Sequence, residues 1–163
     1  MLWQFVLAGW YPGRNRPVPA SIPPGHPAAG VLARFGGLTV GRCGAGRECA
    51  TSDIRFGPVV PADPDIPRWE ALLATTLIGV AEVHHSHGEL YVDSSGRYYG
   101  LSGVHDAFYL EGLHFSEAVE GLLLGRRARP MLRPDQESVT LYGVDFTADH
   151  PGIYRWGGAR GDA

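Results

Sequence analysis

Glycine and proline break this chain up more than any other feature, with 23 glycines and 13 prolines among 163 residues. Together they are more than one residue in five, which leaves room only for short elements separated by loops. The prolines concentrate in two stretches, Arg14 to Pro27 and Pro58 to Pro67, and both are expected as irregular connectors. Between these breaks the chain is apolar enough, at 44% hydrophobic residues, to offset the entropy of ordering itself. Its length is that of one ordinary domain with a tail.

The apolar windows give the elements. Leu2 to Ala8 reads as the last turns of a short helix stopped by Gly9, with its beginning left open by the sequence. Ala28 to Phe35 reads as a second helix, ended by Gly36-Gly37, where glycine supplies the positive φ of a helix C-terminus. Leu38-Thr39-Val40 begins a strand that turns within Gly41 to Gly46 and resumes at Ile54-Arg55-Phe56. Pro67 suits the first turn of a helix whose Trp69, Leu72 and Leu73 fall on one face at i, i+3, i+4 spacing. Thr76 to Val83 reads as a strand, and Glu89 to Asp93 with Arg97 to Leu101 as a hairpin around Ser94-Ser95-Gly96. Ser116, with Glu117 beside it, starts a last helix that presents Val119, Leu122 and Leu123 and stops at Gly125. Past Pro130, Ser138 to Phe146 is expected as a further strand, and His150 to Ala163 as a Gly-rich segment loose at its end.

Charge is spread unevenly. Residues 1–60 carry six arginines against Glu48 and Asp53, whereas residues 63–120 carry ten acids against Arg68 and Arg97. A nucleic-acid binder needs a basic face to displace counterions from phosphate, which this pattern lacks. It suits docking to a basic protein partner, or simply a solvated acidic surface. Cys43 and Cys49, six apart in a Gly-rich stretch, build neither a disulfide framework nor a zinc site by themselves and are expected as free thiols. No apolar run approaches the roughly 18 residues of a membrane span. Met1 to Trp10 lacks the basic start of a secretion signal, so the chain is expected to be soluble and cytoplasmic.

Several pieces, taken in order, carry a family resemblance. They are Ala8-Gly9-Trp10-Tyr11-Pro12-Gly13-Arg14, Phe35-Gly36-Gly37-Leu38, Trp69, Ile78-Gly79, Leu90-Tyr91-Val92-Asp93-Ser94-Ser95-Gly96-Arg97, and Ala118 to Gly125-Arg126-Arg127. The set resembles the SUKH superfamily, named for a yeast cell-wall regulator group and its bacterial immunity relatives, and within it the SUKH-3 type. The resemblance covers about residues 5–130. It implies an α+β fold, a mostly antiparallel sheet with helices packed on it in a single SUKH-like domain over residues 1–130. Residues 131–163 then form a partly extended C-terminal extension. It also implies an immunity protein that binds and neutralises a cognate toxin domain, of nuclease or nucleic-acid deaminase type; no cofactor is expected, and the charge pattern and the apolar runs lead to no expectation of nucleic-acid or membrane contact.

Physically, most of the resembling residues read as architecture. Gly9, Gly36, Gly37, Gly79, Gly96 and Gly125 suit turns and close approaches, Trp10, Phe35 and Trp69 suit the core, and Arg14 and Arg97 suit a carboxylate or ring partner. The contact surface is therefore expected in the acidic middle, on Glu82, Glu89, Asp93, Asp106 and Glu111. Tyr91, Tyr98, Tyr99, Phe108 and Tyr109 would be anchors where exposed and strand core where not.

Catalytic signals are sparse. His84, His85 and His87, with Glu89 close behind, offer imidazole and carboxylate ligands, so a metal-dependent hydrolase is the alternative reading. The segment falls where a turn is expected, which suits a solvated polar loop equally. His87-Gly88-Glu89 matches half of the zinc deaminase signature, but the P-C-x-x-C half is absent and both cysteines come earlier. No nucleophile elbow, P-loop or dinucleotide fingerprint is present, and Cys43 has no visible activator. A non-enzymatic binding protein is expected, with a general interaction scaffold as a third possibility.

Overall fold

The computed structural model describes residues 2–61 and 64–157. In chain order the elements are α1 (Leu2–Leu7), α2 (Pro27–Phe35), β1 (Thr39–Gly44), β2 (Thr51–Val59), α3 (Ile66–Leu73), β3 (Ile78–Val83), β4 (Gly88–Val92), β5 (Tyr98–Ser102), β6 (Ala107–Gly112), α4 (Phe115–Leu124), β7 (Arg129–Met131), β8 (Ser138–Leu141) and β9 (Val144–Thr147). β1 to β7 form one antiparallel sheet in sequence order, and β8 pairs with β9 as a separate hairpin. The fold is α+β, as the resemblance implies.

Local chemistry sets the helix ends. α2 starts where the His26 ring nitrogen Nδ1 accepts the Ala28 N–H at 3.2 Å and Pro27 supplies a fixed φ at the first position. It ends at Gly36, and Gly37 takes the positive φ of 82°. The Arg14 guanidinium donates to the carbonyls of Arg34 at 2.9 Å and Gly36 at 2.7 Å. Arg14 therefore satisfies the open end of α2, where positive charge also complements the helix dipole. The cap of α4 lies two residues before the serine: it is His114, its ring accepting the Glu117 N–H at 3.3 Å, while Glu117 accepts from the Leu113 N–H at 2.8 Å. Gly125 ends it with φ 63°, and the Glu48 and Cys49 N–H groups donate to its carbonyl.

The sheet is buried on both faces over much of its width. One face packs Val40, Ile54, Phe56, Ala81, Val83, Leu90, Val92 and Tyr98 beneath α1, α2 and α4. Phe5, Phe35, Phe56 and Phe115 join α1, α2, β2 and α4, with ring centroids 4.8 to 6.4 Å apart. The other face packs Tyr91, Tyr99, Leu101, Phe108, Leu110 and Met131 beneath α3. There Trp69 stacks on Phe108 at 4.4 Å. Towards β7 the helix-side face continues through Ala107 and Tyr109 to Val139, Leu141, Phe146 and Ile153, from the β8–β9 hairpin and the segment after it.

Burial on both faces corrects several readings. β4, β5 and β6 are nearly continuous apolar runs rather than one-sided alternations. Tyr91, Tyr98, Tyr99, Phe108 and Tyr109 are all core residues. Leu72 is exposed, and α3 instead buries Ile66 and Trp69 with Leu73 half-buried, an i, i+3, i+7 stripe. Pro58 and Val59 belong to β2, not to a loop: the register with β3 shifts between Phe56 and Val59, a bulge where proline's missing N–H is tolerated. β6 and β7 went unread in the sequence, and the single strand expected over Ser138 to Phe146 is two strands around Tyr142-Gly143. The expectation of a loose end concerns residues 158–163, which lie outside the described residues.

Two glycines are fixed by close approach. A Cβ on Gly79 would stand 2.6 Å from the Val59 Cβ, and one on Gly100 would stand 2.0 Å from the Tyr109 ring, its direct partner across β5 and β6. Tyr109 is walled in, so Gly100→Ala should cost about 1–3 kcal/mol in urea unfolding, as overpacking does. Gly100→Ala combined with Tyr109→Leu should recover part of that loss. Additive losses would show that the ring does not set the glycine.

Candidate functional site

Three surfaces carry the residues of interest. The first is the sheet face opposite the helices, which α3 covers only on the β4–β7 side. On β2 to β4 it presents Arg55, Glu82 and Glu89 in register across the strands. Glu82 pairs with Arg55 at 3.5 Å and accepts from the Ser86 hydroxyl at 2.5 Å. Glu89 accepts from the Tyr91 hydroxyl. Two carboxylates directly opposite on neighbouring strands repel each other, so these partners offset a local excess of negative charge.

Of the expected contact set, only Glu82 and Glu89 come together. Asp106 is exposed at the β5–β6 turn. Asp93 is 2% exposed and closes the β4–β5 hairpin, accepting from Ser95 N–H and Oγ, Arg97 N–H and the Tyr99 hydroxyl at 2.7 to 3.1 Å. Those bonds occupy the carboxylate in building the turn. Glu111 lies on the helix-side face near Cys49, Tyr109 and Tyr142, and burial pushes its carboxyl up to about 8.

The second surface is the turn from β3 to β4. His84, His85 and Ser86 all take positive φ, 53°, 56° and 67°. Their backbone is held from β2: Ser52 Oγ accepts the His84 N–H and Asp53 Oδ1 accepts the His85 N–H, each at 2.8 Å. The turn separates the histidines. His85 leans on the Asp53 carboxylate at 3.5 Å, while His84 and His87 line a cavity of about 320 Å³ with Cys49, His105, Tyr109 and Tyr142. Burial pushes the His84 imidazole below its ordinary value. Glu89 joins neither group. The third member of the Asp53 cluster is Cys43, whose thiol donates to Asp53 Oδ1 at 3.1 Å.

The third surface was not anticipated. α1 buries Phe5 but leaves Leu2, Trp3, Val6 and Leu7 more than half exposed, the last at 77%. It lies against β1, whose far edge has no strand partner among the described residues. Between them runs an open groove of about 850 Å³, lined among others by Trp3, Leu7, Thr39, Arg42, Cys43 and Leu123. The signal was present in the sequence as five large apolar residues within six positions, but it reads as core until the packing shows that only Phe5 is buried.

An exposed apolar helix face beside an open strand edge is the make-up of a protein-binding module. The family comparison narrows the class: the family model described as SUKH-3 immunity protein matches residues 25–125, more than half of the chain, which thus belongs to that family. Membership supports an immunity role. No curated protein and no solved structure gives a significant match. α1 and the Gly-Trp motif precede the matched span, and β7 to β9 follow it. No helix among the described residues is long and apolar enough to cross a membrane.

The Glu111 carboxyl offers a direct check on the helix-side face. Protonated in the fold up to about pH 8, it ionises in the unfolded chain near pH 4.3. Its contribution to stability is complete below the unfolded value and is lost as pH rises towards the folded one. Glu111→Gln should therefore gain in Tm over the parent as pH rises from 5 to 9. A constant difference would mean that the carboxyl is already ionised in the fold.

Proposed function

We propose that this protein neutralises a cognate toxin domain in the cytoplasm of the producing cell by docking onto it through α1 and the β1 edge. The observation that carries the reading is the exposed apolar set of α1, Leu2, Trp3, Val6 and Leu7, placed beside the outer edge of β1, which pairs with no strand but β2 among the described residues. Each such side chain gains about 1.5–3 kcal/mol when fully buried, so a partner surface that covers all four draws its affinity from them.

The edge is shaped for side chains rather than for an added strand. β1 shifts register between Gly41 and Gly44, and Arg42 is exposed there. A bulge and a charge are the usual means of blunting an edge against strand pairing. The groove along α1 then receives apolar side chains of the toxin, and Trp3 is the natural anchor. Round the edge, the Glu82–Glu89 pair favours a basic partner, because a cation placed there relieves the repulsion that Arg55 and Tyr91 only partly offset.

The cognate toxin domain is the test ligand. Trp3→Ala with Leu7→Arg should weaken binding at least about thirtyfold, the equivalent of about 2 kcal/mol at a hot spot. Both positions are exposed, so unfolding should shift by less than about 0.5 kcal/mol. Full affinity in this variant would place the docking surface elsewhere. Glu82→Arg with Glu89→Arg should slow association at low salt and leave dissociation nearly unchanged. Equal association rates would remove the charge component.

A further inference from the structure

The structure assigns to Cys43, Asp53 and His85 a three-ligand site for a thiophilic divalent cation of the zinc class. The three residues come from β1, β2 and the β3–β4 turn, far apart in sequence, and each offers a ligand atom within 4.8 Å of the other two. Among the described residues no other three such groups come this close. The Sγ to Oδ1 distance is 3.1 Å and the Nδ1 to Oδ2 distance 3.5 Å. Tetrahedral zinc, with bonds of about 2.3 Å to sulfur and about 2.0–2.2 Å to nitrogen and oxygen, separates its ligands by roughly 3.3–3.7 Å. The two pairs, made to the two different Asp53 oxygens, are each close to that spacing, and the three ligand atoms all lie within 4.8 Å of one another.

The donor set also fits by chemistry. Thiolate, imidazole and carboxylate together favour a borderline-soft ion over calcium or magnesium, which take oxygen ligands. Outer support is in place. The His85 N–H holds Asp53 Oδ1, and the Ser52 hydroxyl holds the neighbouring His84 N–H. Three successive non-glycine residues at positive φ are costly, and such strain persists where surrounding bonds over-determine it. Here it holds the His85 imidazole over the Asp53 carboxylate. Cys43 sits in the bulge of β1, a feature that re-aims side chains.

A nucleophilic thiol is the competing use of the same residues, and the geometry disfavours it. Cys43 donates to Asp53 rather than to an imidazole, and burial pushes the thiol up. Activation needs the opposite arrangement. A cation changes the balance by replacing the thiol proton, which leaves to solvent as the sulfur–metal bond forms. The His85 side chain is 69% exposed, so a fourth position is open to water or to a partner group.

Cobalt(II) titration of the full chain, followed by absorption, tests the site without any toxin and so separately from the docking reading. The expected result is a thiolate-to-cobalt charge-transfer band that saturates at one ion per chain and is displaced by zinc. Cys43→Ser should abolish the band, and Cys49→Ser should leave it intact. His85→Ala, at an exposed imidazole that the fold does not need, should weaken cobalt binding at least about tenfold. The assignment is overturned by the absence of a band, by a band that survives Cys43→Ser or is lost in Cys49→Ser, or by unchanged affinity in His85→Ala.

Discussion

The four-phenylalanine cluster of Phe5, Phe35, Phe56 and Phe115 governs how the rest of the molecule presents itself. α1 has six residues, far fewer than an isolated helix needs to hold together in water. Its place depends on one buried ring, Phe5, seated among rings from α2, β2 and α4. With Phe5 committed inward, Trp3 and Leu7, four apart and so on one side of the helix, overhang β1, and Leu2 and Val6 likewise face water. The exposed apolar surface is thus a consequence of how the core is closed. A helix anchored by one residue carries four apolar ones that nothing among the described residues covers.

The sequence made much of the fold legible where glycine and proline mark the breaks: α2, α3, the end of α4 at Gly125 and the β4–β5 hairpin fall where those residues place them, whereas α4 is capped by His114 and not by Ser116. It failed where burial on two faces erases alternation. Ala107 to Gly112 has no period-2 pattern because Phe108 and Leu110 face α3 while Ala107 and Tyr109 face the β8–β9 side. The β8–β9 turn was hidden for a different reason. Tyr142 and Gly143 both take positive φ, 56° and 70°, and tyrosine is not a residue that signals such a turn. Asp93 did carry a signal, an aspartate followed by Ser-Ser-Gly, and was misread as surface charge because turn chemistry and docking chemistry use the same carboxylate.

Charge counted along the chain is a poor guide to charge in space. The acidic excess over residues 63–120 is partly cancelled by arginines from outside that window: Arg55 meets Glu82, Arg126 meets Glu120, and Arg133 meets Asp65 at 2.7 Å. Such pairs add little to stability when exposed, but they reshape the field that a partner meets. Conversely, Asp53 belongs by sequence to the basic segment and by structure to the open sheet face beside Glu82. What survives of the acidic surface is smaller than the segment count suggests and is split: Glu82 and Glu89 lie together on the open sheet face, while Asp106 is exposed at the β5–β6 turn and Glu117 on α4.

The β1–β2 hairpin explains which part of the Cys43–Asp53–His85 cluster was readable in advance. In the first part of the β1–β2 ladder partner numbers sum to a constant, as Thr39 with Arg55 and Gly41 with Asp53 show, so a correct turn assignment places Cys43 near Asp53. The turn was placed too early, at Gly41 to Gly46, because the glycines inside β1 read as a loop. They serve a bulge instead. No local rule would have supplied His85, since β2 and β3 are joined through α3 and their register follows from core packing rather than from loop length. The same bulge blunts the edge beside α1 and holds Cys43, so the glycines of β1 shape both the docking groove and the ligand cluster on its border.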